Sequence, residues 1–164
     1  MDPKKRIMGK KVLIVDDEKD VLDSLVELLE LCKIDTASSF DEAKELLEKY
    51  DYDIAILDIM GVQGFKLLEI AKVKKVPALM LTAHALTPEN LKKSAEEGAA
   101  YFAPKEEMKN IATFVADVLE AIENKKNPWV RWFDRLGGIF DVIFIGPNWR
   151  EHEKDFWDRQ TKGY

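Results

Sequence analysis

The sequence predicts an α/β fold: a doubly wound, five-stranded parallel sheet with helices on both faces, followed by a helical extension. Two observations carry this. Short apolar runs alternate with amphipathic stretches at helical spacing over residues 9–126, the rhythm of right-handed strand–helix–strand crossovers. In addition, the run Asp53-Ile-Ala-Ile-Leu-Asp58 is apolar without alternation, as a parallel strand covered on both faces must be. It ends in a carboxylate, which belongs at the carboxyl edge of the sheet, where open α/β folds place their chemistry.

Each element has its own signal. Val12, Leu13, Ile14 and Val15 form a first strand that stops at Asp16, Asp17 and Glu18, three acids that must face solvent or a cation. A helix follows, with Val21, Leu22, Leu25, Val26, Leu28, Leu29 and Cys32 near helical spacing. Residues 34–37 form a second strand. Ser39-Phe-Asp-Glu42 is a capping box, and its helix turns Ala43, Leu46 and Leu47 inward as far as Tyr50. After the strand ending at Asp58 comes a loop with Gly61 and Gly64, then a helix from about residue 65 to 73.

Residues 76–81 make a fourth strand, ending at Thr82 and Ala83. Thr87 and Pro88 open a helix that closes near Gly98. Residues 99–103 are the fifth strand, followed by Pro104 and Lys105, and residues 111–122 carry the last apolar helix face of this unit.

Asn127 and Pro128 end that unit, so residues 9–126 read as one domain and 127–164 as an extension. All four tryptophans, Trp129, Trp132, Trp149 and Trp157, lie in the extension. Trp129, Trp132, Phe133, Leu136, Ile139, Phe140, Ile143 and Phe144 recur at intervals of three and four, with Arg131, Asp134, Arg135 and Asp141 opposite. Gly137 and Gly138 are expected to bend or break this helix, Gly146 and Pro147 to stop it, and Trp149, Phe156 and Trp157 to belong to one more short helix. The extension balances its basic residues with acidic ones and is too short for a typical DNA-binding domain. Its aromatic stripe is expected to dock on the preceding domain, or on a second copy to give a homodimer.

Composition narrows the function classes. The chain is 46% hydrophobic and 34% charged, with a net charge of −6, which argues against nucleic acid as a partner. A single cysteine, Cys32, allows no internal disulfide and suits a reducing compartment; at the end of an amphipathic helix it reads as a small core residue. No stretch reaches the length of a membrane span. Lys4, Lys5, Arg6, Lys10 and Lys11 are not followed by an apolar signal region, so the expectation is a cytoplasmic protein without membrane partners.

Asp16 with Asp17, Asp58, Thr82 with Ala83, and Lys105 all fall at carboxyl ends of strands. Together they can form a divalent-cation site beside an acceptor carboxylate, with a hydroxyl and an ammonium for phosphoryl oxygens. Mg²⁺ favours oxygen ligands and is commonly held by one or two carboxylates plus phosphate. A carboxylate can attack a phosphoryl group, catalysis being largely positioning and charge neutralisation.

Lys11-Val-Leu-Ile-Val-Asp-Asp-Glu18, Ile56-Leu-Asp58, Leu81-Thr-Ala83 and Pro104-Lys105 resemble the receiver domain of two-component response regulators, over residues 9–124. The resemblance implies the flavodoxin-like, CheY-like (βα)5 fold. It implies that Asp58 accepts phosphate from a sensor histidine kinase or a phosphotransfer protein, and that a downstream protein is the target. Asp17, Asp16, Asp58 and the backbone carbonyl of Met60 would bind Mg²⁺, and Thr82 and Lys105 the phosphoryl group. Thr82 and Phe102 would form the switch, and Met60 and His84 would modulate dephosphorylation, with the apolar Met60 implying slow loss of phosphate.

Such a protein is no enzyme beyond its own phosphotransfer and dephosphorylation. The leading expectation is a response regulator that signals by protein–protein interaction without a DNA-binding output domain.

The sequence also departs from the family. The Met-Pro pair that usually follows the acceptor is absent, and Gly64 arrives about two residues early. Pro104 precedes Lys105 instead of following it, so the family's cis bond has no place here. These departures support an alternative, a degenerate receiver acting as a phosphorylation-independent binding module. An Asp-nucleophile phosphatase is disfavoured, because Met60 stands where its second Asp would be.

Overall fold

A computed structural model describes residues 2–162. The chain opens with a short helix, α1 (Pro3–Ile7), capped by Asp2, whose side chain accepts from Lys4 N at 3.1 Å. The sequence pattern gave no hint of α1, since five residues hold too little periodicity. It is no frayed end: Ile7 is fully buried and α1 packs along the last helix of the sheet domain.

The elements then alternate as β1 (Lys11–Val15), α2 (Lys19–Leu28), β2 (Lys33–Ala37), α3 (Phe40–Lys49), β3 (Ile54–Leu57), α4 (Gly64–Val73), β4 (Ala78–Thr82), α5 (Pro88–Glu96) and β5 (Tyr101–Pro104). A 3-10 turn over Lys105–Asn110 leads into α6 (Ile111–Glu123). Among the described residues the strands form one parallel sheet in the order β2-β1-β3-β4-β5. This is the doubly wound arrangement the sequence predicts. Its order reverses between β1 and β3, which brings the ends of those two strands together.

The local signals act as expected. Ser39 Oγ caps α3 by accepting from Glu42 N, and Thr87 Oγ1 caps α5 by accepting from Asn90 N at 3.1 Å. All four residues of β3 are buried. One expectation fails. Helix α2 ends at Leu28, so Cys32 lies beyond it, in the turn before β2. There its thiol donates to the Ile7 carbonyl at 3.4 Å, and burial pushes its pKa up to about 11, which suits a packing role.

The extension forms α7 (Pro128–Ile143), α8 (Asn148–His152) and α9 (Lys154–Gln160). Two expectations are corrected here. Helix α7 runs unbroken through Gly137 and Gly138, because its apolar stripe packs on both sides of them and outweighs roughly 1 kcal/mol of lost propensity per glycine. The residues beyond Pro147 make two helices, separated at Glu153, not one.

The stripe docks on the chain's own α6 and β5. Trp129, Trp132, Leu136 and Phe140 are almost wholly buried and join the same hydrophobic core as the sheet. At roughly 1.5–3 kcal/mol for each large apolar side chain, this anchorage is strong. No helix among the described residues is long and apolar enough to cross a membrane.

Candidate functional site

The carboxyl edge of the sheet gathers the predicted groups because four strands end there. Asp16 and Asp17 follow β1, Asp58 follows β3, Thr82 closes β4, and Lys105 follows β5 directly. Lys105 Nζ lies 2.8 Å from Asp16 Oδ2, 3.2 Å from Glu18 Oε1 and 3.7 Å from Asp58 Oδ1. One ammonium thus faces three carboxylates. Asp16 and Asp58 are buried, whereas Asp17 and Glu18 are exposed. Glu18, expected from the sequence only to face solvent or a cation, therefore joins the site through Lys105. Its backbone N–H donates to Asp16 Oδ1 at 2.9 Å, fixing the turn that presents the acids.

Electrostatics at this edge are strained in a specific direction. Burial first, and then the charge of Asp16 and, more weakly, of Asp17 and Glu18, pushes the Asp58 carboxyl up to about 7; Lys105 opposes the shift. Burial alone would depress the Lys105 ammonium, but its hydrogen bond to Asp16 and the charges of Asp58 and Asp16 hold it above the ordinary lysine range. The cluster carries more negative charge than Lys105 can neutralise. Carboxylate oxygens of Asp16, Asp17 and Glu18 lie within 4.8 Å of one another, a hard-oxygen set that suits a small divalent cation.

The short loop after Asp58 is drawn tightly over the site. Gly64 N donates to Ile59 O at 3.1 Å, and a Cβ on Gly64 would stand 2.1 Å from the Asp58 carbonyl oxygen. Only glycine fits. Gly61, at φ +83°, lies against the Asp17 carboxylate, where a Cβ would fall 2.5 Å from Oδ2. Early arrival of Gly64 thus has a steric meaning: the loop closes directly on the acceptor and abuts the acidic cluster. Met60 on this loop is exposed, as is His84 in the loop after β4. Thr82 is fully buried; its Oγ1 accepts from Ala85 N at 3.3 Å, leaving its own hydrogen to donate.

Phe102 lies in β5, fully buried. Its ring centroid is 5.6 Å from that of Phe140, and its carbonyl accepts from Trp132 Nε1 at 2.7 Å. Trp129 Nε1 donates to Ala99 O at 3.0 Å. Beside them, buried Asp117 of α6 accepts from Tyr101 Oη at 3.0 Å and from Arg135 through Nε and Nη2, both at 2.9 Å. Nothing in the sequence distinguished Asp117 from any other helix carboxylate.

Residues 12–116 match the family model of the response regulator receiver domain. The chain belongs to the response regulator receiver family. It is similar to the two-component response regulators ARR10 and ARR12 of Arabidopsis thaliana, at 34% identity over 73% of this chain and 36% over 63%. Those stretches cover 24% and 19% of the two relatives, so this receiver spans a small part of their length. A receiver domain protein from Methanospirillum hungatei JF-1 superposes with a TM-score of 0.66 at 27% identity, over 71% of this chain and 98% of that one. A receiver domain from Francisella shares the fold, with a TM-score of 0.62 at 22% identity over 70% and 99%. Helices α7, α8 and α9 lie beyond the stretch the receiver model matches.

Proposed function

We propose that this receiver is a phosphorylation-controlled switch in which Asp58 accepts a phosphoryl group from the phosphohistidine of a sensor kinase or phosphotransfer protein. The observation that carries this reading is the meeting of Asp16, Asp58 and Lys105 at one edge, with Lys105 Nζ at 2.8 Å and 3.7 Å from the two acids. An Asp58 oxygen attacks phosphorus, the bond from phosphorus to the donor nitrogen breaks, and the imidazole leaves with the electron pair. Lys105 and the Thr82 hydroxyl hold the transferred oxygens.

The acids clustered after β1 fit Mg²⁺, and by the family's pattern Asp16, Asp17 and Asp58 would hold it, with the Met60 carbonyl on the adjoining loop. Bound there, Mg²⁺ supplies positive charge against the phosphoryl oxygens. Its presence would also return Asp58 to the ionised, nucleophilic form. Beyond this self-modification the protein is no enzyme. Met60 offers a hydrolytic water no polar partner, so phosphate loss is slow.

We place the receiver in the cytoplasm, and its output is contact with a downstream protein. The extension supports this output, since it adds a folded helical surface to the domain. The tight loop and the engagement of Lys105 with Asp16 and Glu18 favour one rival reading, a receiver that binds partners without phosphorylation. Incubation with acetyl phosphate and Mg²⁺ decides between them. Wild type should gain one phosphoryl group and Asp58→Asn none; equal labelling, or none in either, removes the acceptor assignment.

A further inference from the structure

Strand β5 touches both the acceptor site and the extension. At its end, Pro104 is the register partner of Thr82, and Lys105 follows with no intervening residue. The position of the Lys105 ammonium therefore depends on where the end of β5 stands. On its other side β5 has no neighbouring strand among the described residues, and the extension fixes it instead. Trp129 holds the Ala99 carbonyl, Trp132 holds the Phe102 carbonyl, and Phe140 packs on the Phe102 ring.

Trp132 is the central contact. It is wholly buried, its donated hydrogen bond is short at 2.7 Å, and its indole is fixed edge-on by Phe133 and stacked with Trp157. A donor this immobile costs no further ordering when it holds the strand.

We propose that Trp132 is a positioning residue for Lys105: through the Phe102 carbonyl it fixes the end of β5, so that the C-terminal extension forms part of the support of the phosphoryl site. This rests on Asp58 being the acceptor. Coupling between two sites is reciprocal. A ligand at Asp58 that draws on Lys105 tightens the Trp132 hydrogen bond, and loss of that bond weakens the ligand.

The test is a titration of the full chain with beryllofluoride and Mg²⁺, followed by fluorine resonance so that the tryptophans are not the probe. Trp132→Phe keeps an aromatic ring and removes the donor, together with part of the buried indole volume. Trp149→Phe is the matched control: it loses the same indole volume from the cluster packed on Trp132, but its N–H donates to Asp141 Oδ1 at 2.8 Å and not to β5.

The expected result is beryllofluoride affinity weakened about fivefold or more by Trp132→Phe, with Trp149→Phe within about twofold of wild type. Equal affinity of wild type and Trp132→Phe overturns the proposal, and so does an equal loss in both variants, which would report general loosening. A measurement on wild type alone stands beside it: saturation with beryllofluoride should slow hydrogen exchange at the Trp132 indole, and unchanged exchange also overturns the proposal. Wild type that takes no beryllofluoride removes the acceptor reading itself, and this inference with it, whereas binding that is indifferent to Trp132 removes the inference alone.

Discussion

The two edges of the sheet share a parallel geometry but differ in what covers them. At the β2 edge, Lys33, Asp35 and Thr36 are exposed, Ile34 is half-buried and only Ala37 is fully covered. At the β5 edge, Tyr101, Phe102, Ala103 and Pro104 are all buried. Edge strands leave backbone groups open to pairing with other chains, and proteins protect them with charge or with cover. This molecule uses charge at one edge and cover at the other. The covered edge is the one that leads to Lys105, so the extension seals the side of the sheet that carries the ammonium facing Asp16 and Asp58.

The largest test of that contrast is truncation at each edge. Trp132→Ala should cost about 3–5 kcal/mol in urea unfolding, whereas Ile34→Ala should cost about 1 kcal/mol. A small loss at Trp132 would mean that the extension unfolds separately from the sheet. A second matched pair lies in two tyrosine–aspartate contacts. Tyr52 Oη donates to exposed Asp35 at 2.7 Å, and Tyr101 Oη donates to buried Asp117, which also holds Arg135 in a two-pronged pair. Asp117→Ala strands both donors and should cost about 2–3 kcal/mol, allowing for the partial exposure of Arg135, against about 1 kcal/mol or less for Asp35→Ala. Comparable losses would remove the distinction between the edges.

The sequence made some of this readable. Asp16, Asp17, Asp58, Thr82 and Lys105 were visible because each interrupts or ends an apolar run, and runs and their ends are local signals. The stripe of α7 was visible for the same reason. What stayed hidden depends on tertiary contact. Asp117 looks like any polar helix residue until Arg135 and Tyr101 arrive from other elements. Gly137 and Gly138 read as a helix break because propensity is local, whereas the packing that carries α7 through them is not. Gly64 looked merely early in its loop; that a side chain there would strike the Asp58 carbonyl can be seen only in three dimensions.

Between the two edges, the centre of the sheet should respond in the opposite sense. Without metal, the folded chain keeps a proton on Asp58 up to about pH 7, while the unfolded chain releases it near pH 4. Over that interval the unfolded state binds fewer protons, so stability falls as pH rises through it. Asp58→Asn removes the titrating group. In chelator at pH 7.5 it should therefore be about 1–2 kcal/mol more stable than wild type, after discounting for solvent screening, and at pH 4 the two should converge. Wild-type stability that is flat from pH 4 to 7 would show that the acid cluster is not strained.

The smallest expected effect tests the cover itself. Gly138 sits inside α7 with open space where a Cβ would stand, so Gly138→Ala removes only backbone freedom from the unfolded chain and should add about 0.5–1 kcal/mol. Gly137 is adjacent, yet its Cβ would meet Arg150 Nη2 at 2.8 Å. That guanidinium is not free to move aside, because Asp141 grips it through two hydrogen bonds at 2.9 Å and it stacks over Phe133. Gly137→Ala should therefore lose about 1 kcal/mol despite the same gain in helix propensity. Opposite signs at neighbouring glycines would show that α7 is held straight by what packs on it, with Gly137 left bare so that α8 can close against the helix covering β5. Stabilisation by both substitutions would instead show that α8 yields, and that the cover over β5 rests on α7 alone.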